Sequence, residues 1–204
     1  FILDDFDQLE KAEIIDMLKN IKSASNRLHR TIEKFLRYNE AELFIANKKE
    51  YLEQINEVVE SPFNHISLIA ANLANEYSRA NDVIISVENT SLKISSDHFI
   101  TLIEEIIDNA FKFSSAGSNV IINGTVEDSK FVLEIKDFGC GISKEELANV
   151  APLIQVSRKN YEQAGNGLGL ATVKLLANLY SLDFEIDSVK NSHTTVRIKF
   201  NTAL

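Results

Sequence analysis

The sequence contains one cysteine, two prolines, seven glycines and no tryptophan among 204 residues. Because Cys140 is alone, an internal disulfide is excluded, which fits a reducing compartment. No run approaches the ~18 apolar residues of a membrane span. Residues 1–7 carry three acids and no base, unlike a signal peptide. We therefore expect a cytoplasmic segment that makes no membrane contact.

Positive charge is also scarce, since 21 lysines and arginines stand against 30 aspartates and glutamates, for a formal net charge of −9. Such a surface repels phosphate backbones, so we expect no nucleic-acid partner. A smaller phosphate ligand would have to be bound locally, through backbone N–H groups and a few cations. The simpler interpretation of the acidity is solubility.

The few glycines are clustered: five of the seven lie within 139–141 and 165–169. Glycine loses more conformational freedom on folding than other residues, so clustering needs a local reason. The usual reasons are tight turns and close approach of the backbone to a ligand.

Residues 9–44 are nearly free of turn-forming residues and predict one long helix. A seam with heptad spacing runs through Ile14, Leu18, Ile21, Ser25, Leu28, Ile32 and Phe35. This spacing is typical of a helix in a bundle or coiled coil. The alternative is an amphipathic helix lying on a globular core. Residues 1–8 look like the end of an earlier helix and a turn, as in a hairpin cut near its start.

The remaining chain alternates between helix and strand patterns. Ser61 and Pro62 predict a helix start, with the helix reaching about Arg79, and Ser96 with Asp97 opens another. A further helix begins within the second glycine cluster. Strands are predicted at 83–88, 119–126, 130–137, 184–189 and 194–200. We expect an α+β fold with largely antiparallel strands.

The first chemical motif is EIIDNAFK at 105–112. Glu105 and Asn109 are four residues apart and share one helical face. A carboxylate and an amide there suit Mg²⁺ and its water, because Mg²⁺ prefers oxygen ligands. Lys112 can reach a phosphate as a point charge. Such residues on a helix are, however, usually a solvated face.

The second motif, DFGCGI at 137–142, follows the end of an apolar strand. The Asp137 carboxylate can accept a hydrogen bond from an exocyclic amine, and the glycines let a flat ring approach the backbone. Taken alone, the motif is more simply a glycine turn that leaves a strand.

The third motif, GNGLGL at 165–170, runs straight into a helix. Free N–H groups at a helix N-terminus form an anion site, and glycines remove side chains that would block a triphosphate. No Gly-Lys-Ser/Thr follows, so this is not a Walker loop, and no strand precedes it, so it is not a Rossmann fingerprint. The alternative is a flexible hinge.

In this order, the three motifs resemble those of the GHKL ATPase superfamily, which includes histidine kinases, DNA gyrase, MutL and the heat-shock ninety chaperones. The resemblance covers about residues 50–200. IIDNAFKFS is similar to the N box of histidine kinases, DFGCGI to the first glycine box and GNGLGLATVK to the second. The approach RKNYEQAGNGLGLA resembles soluble and hybrid bacterial kinases, and TTVRIKF resembles the family's last strand.

The resemblance implies the Bergerat or GHKL fold, a two-layer sandwich of helices and a mixed, mostly antiparallel sheet. It implies ATP and Mg²⁺ as cofactors. Glu105 would be a catalytic base or orienting group, and Asn109 would hold Mg²⁺. Lys112 would contact phosphate, and Asp137 would bind the adenine amine with Thr194 nearby. Further nucleotide contacts would come from the glycine boxes and the lid, at Gly139, Gly141, Arg158, Gly165, Gly167, Leu168 and Gly169.

The predicted long helix distinguishes histidine kinases from the other members of the superfamily. SASNRLHRTIEKFLRYNEAEL resembles the second helix of the hairpin that histidine kinases place before the ATP domain. We therefore assign 1–45 to the C-terminal part of a dimerisation hairpin and 46–204 to the ATP-binding catalytic domain. The resemblance implies a homodimer through the hairpin. It also implies transfer of the ATP γ-phosphoryl group to a histidine, and from there to an aspartate on a response-regulator receiver domain.

The sequence also departs from the family pattern. None of its four histidines lies in a His-Glu/Asp-x-Arg/Lys box; His29 is followed by Arg-Thr-Ile-Glu, without a proline. We expect the phosphoacceptor upstream of this chain. The lid carries Leu-Ile-Gln-Val at 153–156 in place of aromatic residues, Ser181-Leu182 replaces a glycine pair, and His193 replaces a glycine.

Three alternative functions therefore stay open. The chain could be an ATP-binding pseudokinase that serves as an interaction module, which the altered lid favours. It could be a serine kinase of the anti-sigma-factor type, against which the heptad helix argues. It could also be a helical adaptor whose glycines bind no nucleotide.

Overall fold

The computed structural model describes residues 10–54, 57–143, 145 and 167–203. The predicted lid contacts Arg158 and Gly165 lie outside these residues, as does the aliphatic stretch 153–156.

The predicted long helix is α1, Lys11–Ala46, which contains no glycine or proline. Glu13 closes its first turn by accepting a hydrogen bond from the Glu10 N–H at 3.0 Å. The short helix α2, Lys48–Gln54, follows after one residue and was not predicted from the sequence.

Helix α3, Pro62–Glu76, begins at Pro62 as predicted, because a first-turn proline lacks only an N–H that has no helical partner. Ser61 precedes it, but its hydroxyl donates to Asn89 Oδ1 at 3.1 Å instead of capping the helix. The helix ends three residues before Arg79, and a 3₁₀ turn, Ala80–Asp82, leads into the sheet.

Two further helices lie in the described part of the chain. Helix α4, Ser96–Phe113, is capped by Ser95, whose hydroxyl accepts from the His98 N–H at 3.3 Å. Helix α5, Leu168–Leu179, starts after Gly167, which adopts a left-handed conformation at φ 71°.

In the described ranges, five strands form one sheet in the order β1-β2-β3-β5-β4. Only β1 and β2 pair in parallel, and the other three pairs are antiparallel. The predicted α+β fold with a mixed, mostly antiparallel sheet is confirmed. The strands are β1 Val83–Val87, β2 Val120–Glu127, β3 Lys130–Asp137, β4 Asp183–Val189 and β5 His193–Asn201.

One face of the sheet carries the core. Along β3, every second side chain is buried, beginning with Phe131 and ending with Asp137. Because the side chains of a strand alternate between its two faces, this alternation places the Asp137 carboxylate on the face of the sheet that is covered by helices. Helix α4 packs there through its buried face, Phe99, Leu102, Ile103, Ile106, Ile107, Ala110 and Phe111. The result is a two-layer arrangement of helices on a sheet.

Helix α1 contacts the rest of the domain through its C-terminal half, from Arg30, which pairs with Glu76 of α3, onward. Tyr38 and Ala41 are buried, and the helix packs beside α5. Most of the heptad seam is exposed, at Leu18, Ile21, Leu28, Ile32 and Phe35.

Within the described ranges, no helix combines the length and the apolar character needed to cross a membrane.

Candidate functional site

Helix α4 is the place where the three sequence motifs meet. Its C-terminal residue, Phe113, contacts the first glycine cluster through a hydrogen bond from the Cys140 N–H to its carbonyl at 3.1 Å. In the middle of the helix, the Glu105 carboxylate lies against Gly169 at the start of α5. Long-range packing thus joins residues that are 27 and 64 positions apart in the sequence.

Asp137 lies at the carboxyl end of β3, opposite Thr194 of β5. Its side chain is buried, with 6% relative exposure. The Gly139 N–H donates to Oδ1 at 2.9 Å, and within the described residues Oδ2 has no hydrogen-bond donor. Burial raises the pKa of Asp137 to about 6, against the opposing effects of the Gly139 N–H and the Arg79 charge. The carboxylate therefore offers a desolvated acceptor.

The first glycine cluster packs against the protein's own backbone. A Cβ on Gly139 would lie 2.1 Å from the Phe113 carbonyl oxygen. Gly141 has φ 59°, and a Cβ there would lie 2.1 Å from the Val189 carbonyl oxygen. The sequence interpretation assigned these glycines to the approach of a flat ring, whereas the structure gives each a close backbone contact within the chain.

Ser188 on β4 belongs to the same end of the sheet, although sequence reasoning missed it. Its hydroxyl accepts from the Ile142 N–H at 2.8 Å and donates to the His193 carbonyl at 2.9 Å. It also lies 3.0 Å from the Thr194 hydroxyl. This one side chain connects the loop after Asp137 to β5, but a serine in a strand carries no sequence signal of such a role.

Glu105 is buried in the middle of α4, with 2% relative exposure. Lys34 of α1 donates to its Oε2 at 2.7 Å and to Asp108 Oδ2 at 3.0 Å. Burial raises the pKa of Glu105, and the nearby Lys34 charge opposes that rise. Tyr77 also donates to Asp108, at 2.8 Å. Neither Lys34 nor Tyr77 was predicted to lie at the site.

Gly169 leaves room for this buried carboxylate. A Cβ at Gly169 would lie 2.1 Å from Glu105 Oε2 and 3.0 Å from its Cδ. The third glycine of the second cluster therefore sets the distance between α4 and α5.

Asn109 and Lys112 lie on the next turns of α4 and are half-buried. The Asn109 side chain makes no hydrogen bond to any described residue, so its amide oxygen is available to a ligand. The Lys112 Nζ lies 5.4 Å from the centre of the Phe113 ring. Burial lowers the pKa of Lys112, while the charge of Asp108 opposes that change.

The N-terminus of α5 is the last part of the candidate site. Gly167 is its N-cap, in the left-handed conformation that favours glycine. The first N–H groups of the helix, starting at Leu168 and Gly169, have no carbonyl partner inside it. They suit an anion, because the helix dipole adds positive potential at the same point.

Comparison with known proteins decides the family. The sequence model for "Histidine kinase-, DNA gyrase B-, and HSP90-like ATPase" matches residues 94–204, which is more than half of the chain. The chain belongs to this family. The suggested membership of the GHKL superfamily is confirmed, and the matched region is an ATP-binding domain of the sensor histidine kinase type.

Curated relatives of this GHKL chain are named as sensor proteins and histidine-protein kinases. It is 28% identical to the sensor protein KdpD of Clostridium acetobutylicum over 95% of the chain and 21% of that protein. It is 30% identical to the histidine-protein kinase ArlS of Staphylococcus haemolyticus over 57% of the chain and 26% of that protein. The chain thus spans about a quarter of the length of these relatives.

Solved structures agree on the fold. The GHKL chain aligns with Acinetobacter baumannii histidine kinase AdeS at a TM-score of 0.64 and 16% identity, over 100% of this chain and 90% of that one. It aligns with full-length ShkA, solved in complex with AMPPNP, at a TM-score of 0.66 and 15% identity, over 97% and 41%.

Proposed function

We propose that this chain is the catalytic core of a two-component sensor histidine kinase. In this proposal it transfers the ATP γ-phosphoryl group to a histidine on a dimerisation helix upstream of the chain. The observation that carries the proposal is the convergence of the three motifs on α4. The Asp137 carboxylate lies at one end of the site, and the open N-terminus of α5 lies at the other.

Asp137 forms the adenine end of the proposed site. The Asp137 residue is only 6% exposed and its Oδ2 has no donor among the described residues, so this oxygen is available to accept a hydrogen bond from the adenine amine. Thr194 lies beside it on β5 and adds a hydroxyl. Gly139 and Gly141 hold the loop close to α4 and β4.

The phosphate end lies between α4 and α5. Asn109 would hold Mg²⁺ through its amide oxygen, because Mg²⁺ prefers oxygen ligands and keeps several waters. Lys112 and the N–H groups that follow Gly167 would neutralise phosphate charge. The chemistry that Mg²⁺ would supply there is neutralisation of the charge that develops on the phosphates during transfer. We assign the further contacts Arg158 and Gly165 on the family resemblance alone.

Glu105 would act as the base or orienting group for the incoming histidine. Its carboxylate is bound to Lys34 of α1, so the upstream helix reaches into the proposed catalytic centre. Receipt of the phosphoryl group by a response-regulator receiver domain, and dimerisation through the seam of α1, belong to the same proposal. So does the division into a hairpin, 1–45, and an ATP-binding domain, 46–204.

Calorimetric titration with ATP, with and without Mg²⁺, tests the proposed site. The wild-type chain should bind ATP more tightly in the presence of Mg²⁺, and Asn109→Ala should remove that Mg²⁺ dependence. Asn123→Ala is the matched control, because Asn123 is exposed on the outer face of β2. Retained Mg²⁺ dependence in Asn109→Ala would contradict its role, and absence of nucleotide binding by the wild type would favour a helical adaptor.

Phosphotransfer needs a second experiment. The chain extended upstream through the first hairpin helix should incorporate phosphate from ATP in an acid-labile, base-stable form typical of phosphohistidine. Tight binding of Mg²⁺ and ATP without incorporation would identify a pseudokinase.

A further inference from the structure

Arg79 is a buried arginine to which none of the functions above gives a role. It lies between α3 and β1, outside the N box and both glycine clusters, with 5% relative exposure. An arginine is rarely this buried unless its donors are paired, so its contacts identify what it holds in place.

The guanidinium of Arg79 binds the C-terminal end of the N box and the loop that follows it. Nη1 donates to the Phe111 carbonyl at 2.9 Å and to the Ser114 carbonyl and hydroxyl at 3.1 and 2.9 Å. Nη2 donates to the Ser118 carbonyl at 2.7 Å. Asp82 orients the group by accepting from Nε at 2.7 Å. One side chain thus fastens the end of α4 and the loop that follows it.

These contacts determine where the end of α4 lies. The last carbonyls of a helix have no partner inside it, and a cation there is favourable. Arg79 binds carbonyls on both sides of Phe113. The Phe113 carbonyl itself accepts from the Cys140 N–H, and Gly139 lies against it. The position of the glycine loop therefore depends on a helix end that Arg79 fixes.

The same loop orients the carboxylate of Asp137, because the Gly139 N–H is its hydrogen-bond donor. We infer that Arg79 is a positioning residue for adenine recognition. It fixes the end of α4, the helix end fixes the glycine loop, and the loop aims Asp137 Oδ2 at the 6-amino group of a purine nucleotide. Arg79 thereby sets the preference of the site for adenine over a purine that lacks this amine. The inference rests on the proposed function.

The test compares two nucleotides, ATP and purine riboside triphosphate, which differ only in the 6-amino group. Calorimetry with Mg²⁺ gives the ratio of their affinities. A hydrogen bond to a buried charge predicts a wild-type preference for ATP on the order of tenfold or more. In Arg79→Met, the preference should fall by roughly fivefold or more, because the carboxylate is no longer held in line with the amine. Arg79→Lys should lose most of the preference as well, since an ammonium cannot reproduce the fork of the guanidinium.

A destabilised control separates positioning from stability. Phe131→Leu removes core volume at the opposite end of β3, roughly 20 Å from Asp137 at about 3.3 Å per residue. It should lower the melting temperature and keep the wild-type preference for ATP. If Arg79→Met melts lower but keeps the wild-type preference within twofold, the inference is overturned. If it does not fold, Arg79→Lys gives the same decision.

The proposed function can fail separately. A wild-type chain that binds neither nucleotide contradicts the ATP site itself. The inference about Arg79 fails when the wild type binds ATP without preferring it to purine riboside triphosphate, or when the variants keep the wild-type preference.

Discussion

Asp137 is subject to opposing requirements of folding and binding. Burial raises its pKa from 3.8 to about 6, so the folded chain holds this proton more tightly than the unfolded chain. Between these two pH values the folded state binds more protons, and the free energy of unfolding falls as pH rises. Above pH 6 the ionised carboxylate costs the folded state about 3 kcal/mol.

We therefore expect Asp137→Asn to make the nucleotide-free chain more stable at pH 7.5 and to abolish ATP binding. Urea unfolding should give a difference from the wild type that grows between about pH 4 and pH 6 and then levels off, because only the wild type pays for ionisation. In the wild type, ATP affinity should rise through about pH 6 as the acceptor ionises. Unchanged ATP affinity in the variant, by calorimetry, would contradict the assigned adenine pocket.

The sequence was informative about residues whose role depends on local spacing. The sequence predicted that Asp137 stands at a strand end, because side chains alternate every two residues along a strand. It also predicted that Glu105 and Asn109 share a helix face, because a helical turn has 3.6 residues. Lys34 and Arg79 could not be found in this way. Their partners lie 71 and 32 residues away, and only tertiary packing brings them together.

At the scale of elements, the contact between α4 and α5 depends on the absence of a side chain at Gly169. Gly169 stands in the first turn of α5, where alanine would favour the helix by about 1 kcal/mol. The site instead accommodates the Glu105 carboxylate, which Lys34 restrains from moving away.

Gly169→Ala should therefore lower the free energy of unfolding despite its better helix propensity. Chemical denaturation should show that the loss is smaller in a Glu105→Ala background, because that change removes the atoms with which the new Cβ collides. Asn178→Ala, at an exposed position of the same helix, is the control that introduces a better helix former without a collision. A stabilising Gly169→Ala would show that α4 and α5 separate freely.

Elements with a clear repeating pattern were predicted almost to the residue. The range 130–137 for β3 agrees with the structure, and the order of helices and strands is confirmed. Helix α3 ends before Arg79 because Ser78 takes a left-handed conformation, φ 56°. A serine gives no sequence signal of that conformation. Helix α2 escaped notice because seven residues form too few turns to establish a period.

At the scale of the whole molecule, the heptad seam of α1 is exposed along most of its length. Leu28 is 62% exposed, and Leu18, Ile21 and Ile32 lie on the same helix with similar exposure. A row of apolar side chains in water is unfavourable and is typical of an interaction face. This exposure supports the proposed dimer through the hairpin.

We expect the chain to dimerise in solution and Leu28→Glu to shift it to the monomer, as measured by sedimentation equilibrium. Leu68→Glu is the matched control, since Leu68 has nearly the same exposure, 63%, but lies on α3 outside the seam. A wild-type chain that stays monomeric at high concentration would contradict dimerisation through this segment.

The length of α1 has a mechanical consequence. Its 36 residues span about 54 Å, at 1.5 Å per residue, yet among the described residues it contacts the domain only from Arg30 onward, where Arg30 pairs with Glu76 of α3. The arm upstream of Arg30 extends roughly 28 Å. A tilt of about 5° around Arg30 would displace its tip by about 2.5 Å and shift Lys34, on the other side of that point, by only about half an ångström. A large displacement of the upstream end of α1 is therefore converted into a small displacement of Lys34 beside the Glu105 carboxylate.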